Sequence, residues 1–205
     1  MRVRFSLIPV VIATAFAAAG CTPGATEPSP TAPPTSAASS TSPASPSPAP
    51  STEAERATSS ATELVHEYYR TTDAVAADPA RLEPLESVAT SAELLRLQNT
   101  FKPWADDGWH QTGNVQVVKL VTQSVSLDNS DPDAGVIPTV QVEVCYDVSD
   151  VDVVDRAGAS QVTANRSERG WERLWVSNPD YDDDPSSGWR VADRKTLERE
   201  PCAAD

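Results

Sequence analysis

The stretch Val140-Gln141-Val142-Glu143-Val144-Cys145-Tyr146-Asp147-Val148 alternates apolar and polar side chains without a break. Successive side chains of a strand point to opposite faces, so this pattern is that of a β-strand with one face buried. Val140, Val142, Val144, Tyr146 and Val148 form its core face, and Gln141, Glu143, Cys145 and Asp147 the other. Upstream, Val115, Val117, Val121 and Val125 repeat the alternation before a polar loop at 128–133. Downstream, Val151, Val153 and Val154 continue it out of phase, which predicts a bulge near Ser149-Asp150. After a turn at Ala157-Gly158, a third strand is expected over 161–176 with Trp171 and Trp175. A fourth is expected from Trp189 to near Cys202.

Ahead of the strands the period lengthens. Ala61, Leu64, Val65, Tyr68, Tyr69 and Val75 fall at helical spacing behind Ser60-Ala61-Thr62-Glu63. That quartet is a capping-box pattern and predicts a helix running to about Ala77. Asp78-Pro79 ends it, and Leu82, Leu85 and Val88 predict a short second helix bent at Pro84. Thr90-Ser91-Ala92-Glu93, a second capping box, opens a third helix through Leu94, Leu95, Leu97 and Phe101 that stops before Pro103. Three helices followed by four long strands predict an α+β domain, its helices on one face of a curved four-stranded antiparallel sheet.

The N-terminus is of another kind. Arg2 and Arg4 precede an uncharged run from Phe5 to Ala19, the n-region and h-region of a secretory signal. The run is short for a membrane-spanning helix, which needs about 20 apolar residues. Ala18-Ala19-Gly20-Cys21 resembles the lipobox of bacterial lipoproteins, with Ala18 where leucine is commoner. The resemblance implies that Cys21 carries a diacylglycerol and begins the mature chain, anchoring it to the outer face of the cell membrane. An ordinary signal cut after Ala17-Ala18-Ala19 is the competing reading and leaves Cys21 a free thiol. The chain has three cysteines. Acylation of Cys21 leaves Cys145 and Cys202 as a disulfide pair in an oxidising compartment; the alternative is two buried free thiols.

Domains are expected as a signal at 1–20, a disordered linker at 21–58 and a folded domain at 59–205. Nine of the 18 prolines lie in 22–50 among Ser, Thr and Ala, with no large apolar residue to build a core. Such a segment is a stalk, and its composition also permits O-glycosylation. The net charge of −14 becomes −16 once Arg2 and Arg4 leave with the signal, with 14 basic side chains remaining against 30 acidic. That charge is repelled by phosphate backbones and anionic lipid headgroups, which argues against a nucleic-acid partner and against direct lipid adsorption. The remaining stretch of about 145 residues is long enough to hold its own core.

The order of elements and Gly188-Trp189-Arg190-Val191-Ala192-Asp193 in the last strand carry a second resemblance. Over 61–202 the chain resembles the NTF2-like cone (the ketosteroid isomerase and SnoaL superfamily). More narrowly, it is similar to exported actinobacterial lipoproteins that carry such a domain. The resemblance implies a pocket between the concave sheet face and the helices, and a homodimer through the outer sheet face. Tyr68, Tyr69, Trp104, Trp109, His110, Tyr146, Trp171 and Trp175 are the candidates to line that pocket. Relatives can use a pocket acid or His for proton abstraction, and His110 is the candidate base here by type. No position matches the isomerase's Asp and Tyr.

Other chemistry is sparse. His66-Glu67-Tyr68-Tyr69-Arg70 has Arg70 where a zincin needs its second histidine. Phosphate-binding and dinucleotide glycine patterns and a nucleophile elbow are absent from the sequence, so no cofactor is expected. Asp180, Asp182 and Asp184 alternate like calcium-loop ligands, but Pro185 and Val191 occupy the EF-hand's Gly and Glu positions. A solvated acidic turn is the plainer reading. The chain therefore reads as an envelope lipoprotein whose domain binds a partner protein or a small apolar ligand without catalysis. The alternative is an extracytoplasmic enzyme of ketosteroid-isomerase type using a pocket His or carboxylate.

Cys21→Ser is expected to move the protein from the membrane fraction to the medium and to abolish metabolic fatty-acid labelling. Equal labelling of the variant and the parent would refute lipid attachment at Cys21.

Overall fold

The computed structural model describes residues 51–203. The expected signal, Cys21 and the linker as far as residue 50 lie outside the described residues.

Helix α1 spans Glu53–Ala77 and starts well before Ser60. Thr52 is the N-cap: its N–H donates to Glu55 Oε2 at 2.7 Å, and Glu55 N–H donates to Thr52 Oγ1 at 3.2 Å. The real capping box is thus Thr52-Glu53-Ala54-Glu55, and 53–58 of the expected linker are helical. Thr58 and Thr62 sit inside the helix with their hydroxyls turned back onto the carbonyls of Ala54 and Thr58, both at 2.9 Å. Ala57, Ala61, Val65, Tyr68, Tyr69, Val75 and Ala76 form the buried stripe.

The expected second α-helix is a 3₁₀ turn over Glu83–Ser87. Pro84 lacks the N–H a longer helix needs, and the segment's bonds are the short ones from Leu85 to Leu82 and from Val88 to Leu85. The described residues therefore hold two α-helices. The second, α2, spans Ser91–Asp107 and runs through Pro103, where the sequence predicts a stop. The bond that Pro103 cannot make would go to the carbonyl of Asn99, and both residues are exposed, so that carbonyl is open to solvent. Gly108 ends the helix in the left-handed region at φ 73°, a conformation that glycine adopts without strain.

The strands are β1 (His110–Thr112), β2 (Gln116–Ser126), β3 (Thr139–Asp147), β4 (Asp152–Val154), β5 (Arg169–Ser177) and β6 (Arg190–Leu197). They form two sheets rather than one. The larger has the order β2-β3-β5-β6 with every neighbour antiparallel, and the smaller pairs β1 with β4. Val151, Val153 and Val154 are therefore not a bulged continuation of β3. The chain turns after Asp147, with Val151 N–H bonded to Val148 O at 3.0 Å, and β4 pairs with β1 so that His110 faces Val154. Bulges occur instead in both edge strands, in β2 at Val117/Lys119 and Thr122/Ser124 and in β6 opposite Trp175/Val176. Such kinks protect an open edge from pairing with other chains.

One face of the large sheet carries Val140, Val142, Val144, Leu174, Val176 and Val191, which form a single buried cluster with α1 and with Leu97 and Phe101 of α2. Helices on one face of an antiparallel sheet are thus present as expected. Trp189 is 1% exposed, meets Tyr181 edge-on at 5.8 Å and donates to Pro185 O at 3.0 Å. It anchors the loop before β6 to the core. The opposite sheet face carries Cys145, Trp171, Arg173 and Trp175 in cross-strand register. Past Leu197 the tail turns back over this face, and Cys202 is bonded to Cys145 with the Cα atoms 6.2 Å apart. Loop entropy assigns such a bridge about 4 kcal/mol.

Trp189→Ala is expected to cost about 3–5 kcal/mol in denaturant unfolding through the cavity it leaves. Lys195→Ala, on the exposed sheet face, should stay within about 0.5 kcal/mol of the parent. Equal effects would contradict this assignment of core and outer faces.

Candidate functional site

Four charged side chains enter the apolar space between the helices and the sheet. Glu93 of α2 is 1% exposed and Glu172 of β5 is 2% exposed, despite the cost of burying a carboxylate. Each is compensated twice. Tyr68 of α1 donates its hydroxyl to Glu93 Oε1, while Arg96 donates Nε to Oε2 at 2.8 Å and Nη2 to Oε1 at 2.5 Å. Tyr69 donates to Glu172 Oε1, and Arg194 of β6 lies 3.1 Å from Oε2. Arg194 also approaches Glu93 at 4.0 Å, so the two pairs form one network.

Local structure explains the placement. Tyr68 and Tyr69 are consecutive on α1, their rings edge-on at 5.4 Å, so their hydroxyls diverge toward different carboxylates. Glu93 holds the N3 position of a capping box by sequence, yet Thr90 makes no side-chain cap. The backbone of Thr90 is instead stitched to Val191 O at 2.9 Å, Ser91 adopts φ 50°, and the Glu93 side chain turns inward. Glu172 and Arg194 share the core face with Leu174 and Val176, which follows from the β5–β6 register.

Burial, and then the neighbouring carboxylates, push both tyrosine hydroxyls far above their ordinary range, so they remain proton donors. For Arg96, burial opposes the charge, but the bond and charge of Glu93 outweigh it and hold the guanidinium protonated. The network is two acids against two bases, all committed to one another. Its chemistry is cross-bracing of α1, α2, β5 and β6.

Two hollows flank it. One, of about 260 Å³, lies under α2 and is lined by Leu97, Phe101, Trp104, Arg96, Arg194 and Gln111 among others. The other, of about 490 Å³, opens on the far flank of α1 beside His66, Arg70, Asn114 and Gln116. Tyr69, Asp73 and Val115 belong to the walls of both. Burial raises the carboxyl pKa of Asp73, against hydrogen bonds from Gln111 Nε2 at 2.7 Å and Val115 N–H at 3.0 Å.

The expected aromatic pocket is dispersed. Tyr68, Tyr69 and Trp104 line the smaller hollow, and Trp104 meets Phe101 edge-on at 5.4 Å. Trp109 follows the C-cap of α2, and His110 begins β1 in the small sheet. Tyr146 lies on the core face near the end of β3, its ring over Gly170. Trp171 and Trp175 are on the outer face with Cys145. Asp180, Asp182 and Asp184 do not converge. Asp184 accepts from Ser187 at 3.0 and 2.5 Å, Asp182 accepts from Asn129 at 2.9 Å, and the carbonyl of Asp180 caps its own turn. Among the described residues no group of three or more His, Cys, Asp or Glu side chains could hold a metal ion, and no helix is long and apolar enough to cross a membrane.

No family model and no curated protein matches the chain. A solved structure similar to it is the intermembrane-space region of the chloroplast protein ARC6, at 17% identity and a TM-score of 0.47. The match covers 72% of this chain and 98% of that one.

Glu172→Ala is expected to cost about 1–3 kcal/mol, because it leaves the buried Tyr69 hydroxyl without its acceptor and takes the partner from a half-buried Arg194. Tyr69→Phe should cost about 1–2 kcal/mol. The two losses should fall short of additive in the double variant, a coupling read by denaturant unfolding. Strict additivity would mean that the pair does not act as a unit.

Proposed function

We propose that the protein is a membrane-anchored cell-envelope lipoprotein whose α+β domain, an NTF2-like cone, serves as a non-catalytic binding or interaction module. The observation that carries the reading is the state of the interior carboxylates. Glu93 and Glu172 each receive a tyrosine hydroxyl and a guanidinium, so neither is poised to take a proton from a substrate. His110 sits in the small sheet rather than in the walls of either hollow. The anchor rests on the Arg2–Cys21 pattern and the stalk on the proline-rich segment that follows.

The enzyme reading would use Asp73, a carboxyl with a raised pKa that reaches both hollows, or His66 in the wall of the larger one. The two oxygens of Asp73 are engaged by Gln111 and by the backbone of Val115, which tie α1 to β1 and to the residue before β2. That arrangement favours a structural tie over a general base.

Crosslinking on intact cells, followed by capture of the full chain, is expected to recover one envelope partner reproducibly. Separately, purified protein should not exchange the α-protons of a simple cyclic ketone. Exchange abolished by Asp73→Asn would replace the binding reading with the enzymatic one.

A further inference from the structure

The C-terminal tail lies on the outer sheet face, yet it shares almost none of the sheet's bonding. Past Leu197, which pairs with Trp171, its one backbone bond is local, from Arg199 N–H to Leu197 O at 3.1 Å. Three attachments hold it down. The Arg199 guanidinium stacks 3.7 Å from the Trp171 ring centroid. The same group lies 2.8 Å from Glu143 Oε2. Cys202 is bonded to Cys145. The Arg199 side chain is 39% exposed above a buried Glu143, and these two contacts from one side chain are set against the entropy of ordering six residues, about 1–2 kcal/mol each. The covalent bond therefore decides whether the tail stays.

Beneath the tail the pairing of β3, β5 and β6 does not run through that bond. Cys145 is fully buried but stands outside the apolar cluster that joins sheet and helices. Glu143 keeps a second partner, Arg173 at 2.5 Å, when Arg199 leaves. The β5–β6 pairing ends at Leu197, before the tail begins.

We propose that residues 198–203 are a redox-released strap: reduction of Cys145–Cys202 lifts the tail and bares Trp171, joining it to Trp175 on one open sheet face. The reductant is a dithiol. Its thiolate attacks Sγ of Cys202, the more exposed residue of the pair, and Cys145 leaves as a thiolate and takes up a proton. The second thiol of the reductant then displaces the sulfur of Cys202 and closes into a disulfide. Two electrons and two protons pass to the protein, and the reductant is oxidised in equal measure.

The test compares full chain, oxidised and after dithiothreitol, by trypsin cleavage after Arg199, acrylamide quenching of tryptophan and hydrogen exchange of β3 and β5. Reduction should speed cleavage after Arg199 while β3 and β5 keep their protection, and quenching should rise in the parent but not in Trp171→Phe. Cys202→Ser should show the released state without reductant. Full reduction that leaves cleavage and quenching unchanged would show that the tail is held without the bond. Loss of protection across β3 and β5, in the reduced protein or in Cys202→Ser, would make the bond a staple of the sheet and overturn the strap.

Discussion

Two tyrosine hydroxyls, each donated to a buried carboxylate that a guanidinium neutralises, hold the two helices and the sheet together. A buried carboxylate without compensation would cost several kcal/mol, so each of these is folded only if all its partners arrive. Tyr68 and Tyr69 come from α1, Glu93 and Arg96 from α2, Glu172 from β5 and Arg194 from β6. The apolar cluster around them is non-directional, whereas the network accepts one register. A shift of β6 by one residue would turn Arg194 outward and leave Glu172 unpaired, since neighbouring strand residues face opposite ways.

The elements that sequence made legible are those whose pattern has a single cause. The alternation of Val140, Val142 and Val144 is caused by one buried face, and β3 occupies that stretch with all three fully buried. The helical stripe of Ala61, Val65, Tyr68 and Val75 is equally direct. Errors arose where two explanations shared a signature. Glu93 fits a capping box and also fits a buried ligand for Tyr68, and only the docking of Thr90 on β6 decides between them. Val153 and Val154 look like the end of a long strand, whereas their partners lie in β1, more than 40 residues upstream. A pairing at that separation leaves no local trace.

The charged half of the site was missed for a related reason. Trp171 and Trp175 are the bulkiest residues of β5 and suggest that their face is the buried one. The opposite parity carries Leu174 and Val176 and, with them, Glu172. A strand with large apolar residues on both faces does not announce its inner side, and composition favours the tryptophans. Burial resolves the choice because α1 and α2 cover the Leu174 face, while the other face receives only the tail and the disulfide.

The two sheet faces thus solve the same problem by different chemistry. On the inner face, each carboxylate is removed from water and completed by a tyrosine hydroxyl and a guanidinium, which fixes geometry and leaves little freedom for proton transfer. On the outer face, Asp147 and Glu143 are paired with Arg169 and Arg173, whose side chains are about as exposed as those of Arg96 and Arg194, and no tyrosine joins them. In a domain this acidic, the cationic side chains Lys119, Arg169, Arg173 and Lys195 gather on that outer face, beside two tryptophans. Binding energy available to a partner is greatest where aromatic area and charge can still be desolvated, and the inner face has already spent both on folding. The proposed recognition role therefore fits the outer sheet better than the interior.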